Sequence, residues 1–156
     1  MSVFSQKKSI PAEFSVTNNN AIIWTKVYKN NSSELIKDLR NNLSLKINED
    51  STGTANNLRL RCSNLSGYTF ANFQINFQIE SKESEYRIKV SNVVFDENIQ
   101  INLGSVRTEG TFNTLEDFEL RTTDNTLRKN GQSARNLICL NEFLTKMFTA
   151  QLLDKW

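Results

Sequence analysis

The sequence predicts an α+β fold, a two-layer sandwich in which an antiparallel sheet is covered on one face by helices. Three observations predict it. Phe73 to Glu80 alternates strictly, with Phe73, Ile75, Phe77 and Ile79 on one side and Gln74, Asn76, Gln78 and Glu80 on the other. A helix would scatter these residues around its circumference, so the segment reads as a strand. After a polar turn through Ser81 to Ser84, Tyr86, Ile88 and Val90 alternate with Arg87, Lys89 and Ser91, which makes the second arm of a hairpin. Near the C-terminus, Leu137, Leu140, Leu144 and Phe148 form a helical stripe, widened by Ile138, Met147 and Leu152. A helix of some 20 residues spans roughly 30 Å, enough to cross a small sheet. A sheet with one apolar face needs such a cover.

The remaining elements follow in order. Residues 1–20 are polar and unpatterned and read as a flexible tail, and residues 21–156 as a single α+β domain. Ala21 to Lys29 is β-branched and aromatic, with Trp24, Lys26 and Tyr28 opposite Ile23, Thr25 and Val27, and reads as a strand. Ser32 and Ser33 cap a helix with Leu35, Ile36, Leu39 and Leu43 on one face. Leu43 to Ile47 reads as a short strand, followed by a turn through Asp50-Ser51-Thr52-Gly53. Leu58 to Cys62 alternates again, with Arg59 and Arg61 on the face opposite Leu58, Leu60 and Cys62. Ile99 to Leu103 is a further short strand, and residues 104–113 a loop. Thr114 to Asn130 has a helical pattern, with Leu115, Phe118 and Leu127 inward. Gly131 breaks it, and the last helix starts at Ser133. The order is therefore strand, helix, about four strands, then helices.

Composition narrows the function. The chain has 156 residues, 19 basic and 17 acidic side chains, a net charge of +2 and no histidine. Its mean hydropathy is −0.49, which argues against a membrane-spanning protein. The length suffices for one real core. Without histidine there is no Ser-His-Asp triad, no Cys-His pair and no His-based metal site. Acid–base chemistry would need a shifted carboxylate, lysine, tyrosine or thiol. The pairs Asp96-Glu97 and Glu116-Asp117 do not converge by themselves, because neighbours on an extended strand point apart. Asp50-Ser51-Thr52-Gly53 is too sparse for a calcium loop. Phosphate-binding glycine loops are absent. No metal and no cofactor are expected.

Cys62 and Cys139 are the two cysteines. Their spacing is not that of a redox or zinc motif. Two readings stand: a pair of small buried core residues, or a disulfide formed in an oxidising compartment.

The candidate binding surface is the polar face of the sheet. Arg59 and Arg61 share one strand face, Arg87 and Lys89 another, and Gln74, Asn76 and Gln78 a third between them. As neighbours these strands would present a mildly basic polar surface for an anionic ligand or a partner protein. The bland alternative is that they are solvated strand residues. Nucleic acid is not expected, since Phe73, Phe77 and Tyr86 sit on the apolar face and leave no stacking platform. The edge strands of a small open sheet leave room for a homodimer.

The stretch from Ile22 to Phe95 resembles the DUF4468 family of Bacteroidetes proteins. The features that carry the resemblance are the first strand with Trp24, the helix around Glu34-Leu35 and the segment FQINFQIESKESEYRIKVSNVVF. Within that segment, Ile79-Glu80-Ser81-Lys82 and Tyr86-Arg87-Ile88 match the family's alternating strand, lysine-containing turn and Tyr-Arg strand. The turn is longer here than the family's compact form. The resemblance implies a TATA-binding-protein-like fold (β-α-β4-α) and a bacterial envelope setting, and no activity. The opening residues Met1-Ser2-Val3-Phe4-Ser5-Gln6-Lys7-Lys8 resemble the end of a Bacteroidetes signal peptide, where an apolar run finishes in Phe-Ser-Gln. Together these give a periplasmic or secreted location.

The function expected from the sequence is a non-enzymatic, exported binding or interaction domain. The alternatives are a histidine-free, carboxylate-based hydrolase and a carrier of small apolar ligands with a cavity between sheet and C-terminal helix.

Overall fold

The alternating segments pair as the sequence pattern requires. In the computed structural model, which describes residues 9–30, 32–40, 45–96 and 113–149, six strands form one antiparallel sheet. They are β1 (Phe14–Val16), β2 (Ile22–Tyr28), β3 (Leu45–Ile47), β4 (Thr52–Leu58), β5 (Phe73–Lys82) and β6 (Glu85–Phe95). Their order across the sheet is β1-β2-β6-β5-β4-β3. The helices are α1 (Ser32–Arg40), α2 (Leu115–Glu119) and α3 (Gly131–Phe148). The fold is α+β with an open antiparallel sheet.

The hairpin of β5 and β6 forms the centre. It closes at Lys82 and Glu85 through a two-residue turn, Glu83-Ser84. Phe73, Ile75, Phe77, Ile79, Tyr86, Ile88 and Val90 are all buried on one side. Leu137, Leu140, Leu144 and Phe148 of α3 are buried in the same cluster, together with Leu35 and Leu39 of α1. Both helices therefore cover the same face; on the other, among the described residues, Gln74, Asn76, Gln78, Arg87 and Lys89 are exposed, while Ile23 near the start of β2 is buried. Three hydrogen bonds from aromatic side chains, beside one from Lys26 Nζ to Thr145 Oγ1 (3.4 Å), fix α3 against the sheet. Trp24 Nε1 donates to Asn141 Oδ1 (2.8 Å), Tyr28 OH to the Thr145 carbonyl (3.0 Å) and Tyr86 OH to the Phe148 carbonyl (2.6 Å). Each satisfies a polar aromatic tip that burial would otherwise penalise.

Two bulges flank β5 at one level. Ala55 pairs with Ile75 and Leu58 with Phe73, so β4 carries one extra residue there. Ser91 pairs with Asn76 and Val94 with Gln74, so β6 carries another. Asn57 and Asn92 take positive φ, 56° and 52°. Asparagine tolerates this left-handed region better than branched residues do. The bulge in β6 keeps Val93 and Phe95 pointing inward after Val90.

Gly53 marks a close approach in the sheet. It faces Phe77 from β4, and a Cβ there would lie 2.4 Å from the Lys46 carbonyl oxygen and 2.5 Å from the Phe77 ring. Gly53→Ala is expected to destabilise by about 1–3 kcal/mol through overpacking, read as a lower urea midpoint. An unchanged midpoint would refute the steric account.

Several boundaries depart from the sequence reading. Phe14–Val16, placed in the unpatterned N-terminal stretch, is edge strand β1 paired to Ile22–Trp24 of β2. Three residues are too few to show a period. The alternating Leu58 to Cys62 is not a strand: β4 is Thr52–Leu58. β5 begins at Phe73, the partner of Leu58, so residues 59–62 have no strand on that side to pair with. The Thr114 to Asn130 helix shortens to Leu115–Glu119, and a turn then leads to a bridge between Leu120 and Leu127. Asp124 makes that turn, accepting from the Thr126 backbone N–H (3.2 Å) and hydroxyl (2.7 Å). Gly131 opens α3 rather than breaking a helix, with Asn130 as its cap accepting from Ser133 N (2.8 Å). The expected strand at Ile99 to Leu103, and Leu43, Glu97, Leu152 and residues 1–8, lie outside the described residues.

Candidate functional site

Strand register decides which polar side chains meet. Across four strands, Thr52, Gln78, Lys89 and Thr25 form one row. Lys46, Thr54, Asn76 and Ser91 form a second. Glu80, Arg87 and Val27 form a third. Neighbouring strands lie about 4.8 Å apart, so a row of four spans roughly 14 Å. Gln74, Asn76, Gln78, Arg87 and Lys89 are all exposed. The hairpin thus brings five of the seven sequence-nominated residues onto one open face.

Charge on that face is unevenly satisfied. Arg87 donates through Nε to Glu80 Oε2 (3.1 Å), and its Nη2 engages the same oxygen. An exposed pair of this kind adds about 1 kcal/mol at most. It does consume the Glu80 carboxylate. Among the described residues, no carboxylate pairs with Lys46 or Lys89. Val27 adds an apolar spot beside Arg87 and is 49% exposed.

Arg59 and Arg61 are not part of these rows. Both are exposed, but they lie beyond the end of β4 in the connection to β5. Their alternation with Leu58, Leu60 and Cys62 has a different cause. Leu60 is buried, and Cys62 is joined to Cys139 of α3 by a disulfide. The alternation is that of an irregular segment held down at every second residue.

The same connection carries a buried polar cluster that the sequence reading did not single out. Glu119, at the end of α2, is 1% exposed. Its carboxylate accepts from Tyr68 OH (2.5 Å), Ser133 Oγ (2.8 Å) and Asn136 Nδ2 (3.1 Å). Burial raises its pKa above the ordinary glutamate value, against the opposing pull of the three donors. Burial and the adjacent carboxylate also push the Tyr68 phenol up. Asn136 continues the network, accepting from Ser66 N (3.0 Å) and donating to Ser66 Oγ (2.9 Å). Tyr68 OH, Ser133 Oγ and both Asn136 Nδ2 hydrogens are spent inside the protein, so the cluster acts as a clamp.

Two other arrangements bear on the alternatives. Glu116 and Asp117 border a surface depression of about 450 Å³ beside α2. Asp117 is used in the α2 capping box, accepting from Thr114 N (3.0 Å) and Thr114 Oγ1 (2.8 Å). Burial raises the Glu116 pKa. The two carboxylates are sequence neighbours at the start of one short helix, and only Glu116 is left for chemistry there. Between sheet and α3, Phe73, Ile75, Phe77, Leu140, Leu144 and Phe148 occupy the interface, with Phe77 and Phe148 rings 5.2 Å apart. Among the described residues, no three His, Cys, Asp or Glu side chains gather as a metal group.

Comparison with known proteins adds two structures. A TBP-like protein from Parabacteroides distasonis is 11% identical, with a TM-score of 0.48, over 86% of this chain and 94% of that one. A DUF4468 family protein from Bacteroides ovatus is 12% identical, with a TM-score of 0.44, over 90% of this chain and 93% of that one. No family model and no curated protein matches the sequence. No helix of the described residues is long and apolar enough to cross a membrane.

Proposed function

We propose that this protein is a non-catalytic, exported binding module whose working surface is the open face of the sheet and whose ligand is anionic. The observation that carries the reading is the pair of lysines, Lys46 and Lys89, without carboxylate partners among the described residues and set among amides and hydroxyls at strand spacing. Ammonium groups supply the charge. Gln74, Asn76, Gln78 and Thr54 supply donors and acceptors for an extended polar chain. The disulfide supports export, because such bonds persist in oxidising compartments. Nucleic acid does not enter the reading. Phe73, Phe77 and Tyr86 are buried on the helix side, so they offer bases nothing to stack on.

The test is titration calorimetry with polygalacturonate and polyglutamate as probes, which separates an acidic glycan from an acidic peptide. The double reversal Lys46→Glu/Lys89→Glu is expected to weaken the binding probe at least 10-fold. Both side chains are exposed, so the thermal midpoint should not move. Affinity should fall as salt rises. If neither probe binds, or the reversal leaves affinity intact, the open face is not an anion-binding surface.

A further inference from the structure

We infer that the connection from β4 to β5, residues 59–72, is a second interaction surface. It presents Phe70 as an anchor to a partner protein whose apolar pocket is rimmed by carboxylates. Val27 and Phe70 are the two large apolar side chains left exposed among the described residues, and Phe70 is the more exposed at 56%.

What makes Phe70 unusual is the rigidity around it. Cys62 is bonded to α3 at Cys139. Ser66 is held by Asn136 through two hydrogen bonds, and the Asn64 carbonyl accepts from Gln132 Nε2 (3.0 Å). Tyr68 is tied to Glu119 and stacks on Phe118, ring centroids 4.1 Å apart. Thr69 Oγ1 donates to the Ser66 carbonyl (2.6 Å) within a short 3₁₀ turn, Gly67–Phe70. Leu60, Tyr68 and Thr69 are buried, and Leu65 and Ala71 pack against the core. Every large side chain of the segment except Phe70 and the two arginines turns inward.

A loop fixed this firmly has already lost its conformational freedom. A partner therefore binds it without the usual ordering cost. An aromatic ring with few rotatable bonds on a rigid support is the pattern of an interface anchor. The charge states the partner's chemistry. Arg59 and Arg61 are the only ionisable side chains in residues 59–72 apart from buried Tyr68 and the bonded Cys62, and both are exposed. The segment carries +2 of its own; Asp96, exposed and joined through its backbone N–H to the Asn72 carbonyl (2.8 Å), offsets part of that, and the remaining basic balance suits carboxylates around the receiving pocket. One ring gives a lipid surface little apolar area to hold, so the protein pocket is the better match.

The test places a photoreactive benzoylphenylalanine at position 70 of the full chain, with the same probe at exposed Gln78 as control. Adducts formed in envelope extract are identified by mass spectrometry, and the purified adduct protein is titrated against unlabelled variants. The expected result is one protein captured at position 70 and not at 78. Its Kd should rise roughly 30-fold or more with Phe70→Ser, the scale of an aromatic hot spot. It should also rise with Arg59→Glu/Arg61→Glu, and stay unchanged with Lys46→Glu/Lys89→Glu. Phe70→Ser should leave the thermal midpoint unchanged, since the ring is exposed. Adducts only with lipid or with a second copy of this chain, equal labelling at both positions, or a Kd indifferent to Phe70→Ser would each overturn the proposal.

Discussion

Reduction of the Cys62–Cys139 disulfide is expected to cost about 4.5 kcal/mol of folding stability. The bond joins residues 77 apart in sequence, and closing a loop of that length removes this much chain entropy from the unfolded state. Loss of a native disulfide typically costs about 2–5 kcal/mol, so about 3 kcal/mol is a fair lower figure for a loop this long. For a chain of this size, that is a fall of roughly 10 °C in thermal midpoint. The comparison is one protein unfolded with and without reductant, with Cys62→Ala/Cys139→Ala as a second route to the open form. The double alanine variant should be insensitive to reductant. A midpoint indifferent to both treatments would mean that the hydrogen bonds of Ser66, Tyr68 and Asn136 alone hold the β4–β5 connection.

Glu119→Ala should cost a comparable amount, about 3–5 kcal/mol. The substitution leaves Tyr68 OH, Ser133 Oγ and one Asn136 N–H buried and facing a void, and each orphaned group costs about 1–3 kcal/mol, partly recovered where it re-pairs. Glu119→Gln is the informative contrast. Its carbonyl still accepts from Tyr68 and Asn136, and its amide can donate to the Ser133 hydroxyl, which is free to rotate. The pH dependence separates charge from shape. Burial raises the folded-state pKa of Glu119 above its unfolded value, so the folded state holds the proton more tightly. The corresponding stabilisation is complete below the unfolded glutamate pKa, near 4.3. It is lost as pH rises through the raised folded value. Wild type should therefore lose stability relative to Glu119→Gln as pH rises from about 4 towards neutrality. A difference that stays constant over that range would mean Glu119 does not titrate differently in the two states.

How much of this was legible depended on whether a feature was local. Period-two alternation placed β2, β5 and β6, and the stripe of Leu137, Leu140, Leu144 and Phe148 placed α3, because each pattern lies within one segment. Strand partners set limits that no segment contains. Arg59 and Arg61 alternate well enough to be a strand, yet β5 starts opposite Leu58 and leaves them unpaired. The face at Gln74, Asn76, Gln78, Arg87 and Lys89 came from the hairpin alone. Lys46 and Thr25 joined it through cross-strand register that no local pattern reveals. Glu119 was hidden for a related reason: its three donors lie 51, 14 and 17 residues away. The capping box of Thr114 and Asp117 was a local signal, and it explains why the run beginning at Leu115 starts as a helix. The turn-forming Asp124-Asn125-Thr126 explains why it stops so soon.

The bulges at Asn57 and Asn92 also affect how this sheet can diverge over time. Each is a single residue added to a strand without moving any buried side chain to the other face. Removing one would restore an unbroken ladder, with Leu58, Val93 and Phe95 still directed inward. A chain with the same sheet can therefore gain or lose a residue at either place at little cost to its core. Two such chains, laid against each other residue by residue, fall out of step halfway along β4 and again within β6. Their cores would still superimpose while their letters no longer aligned.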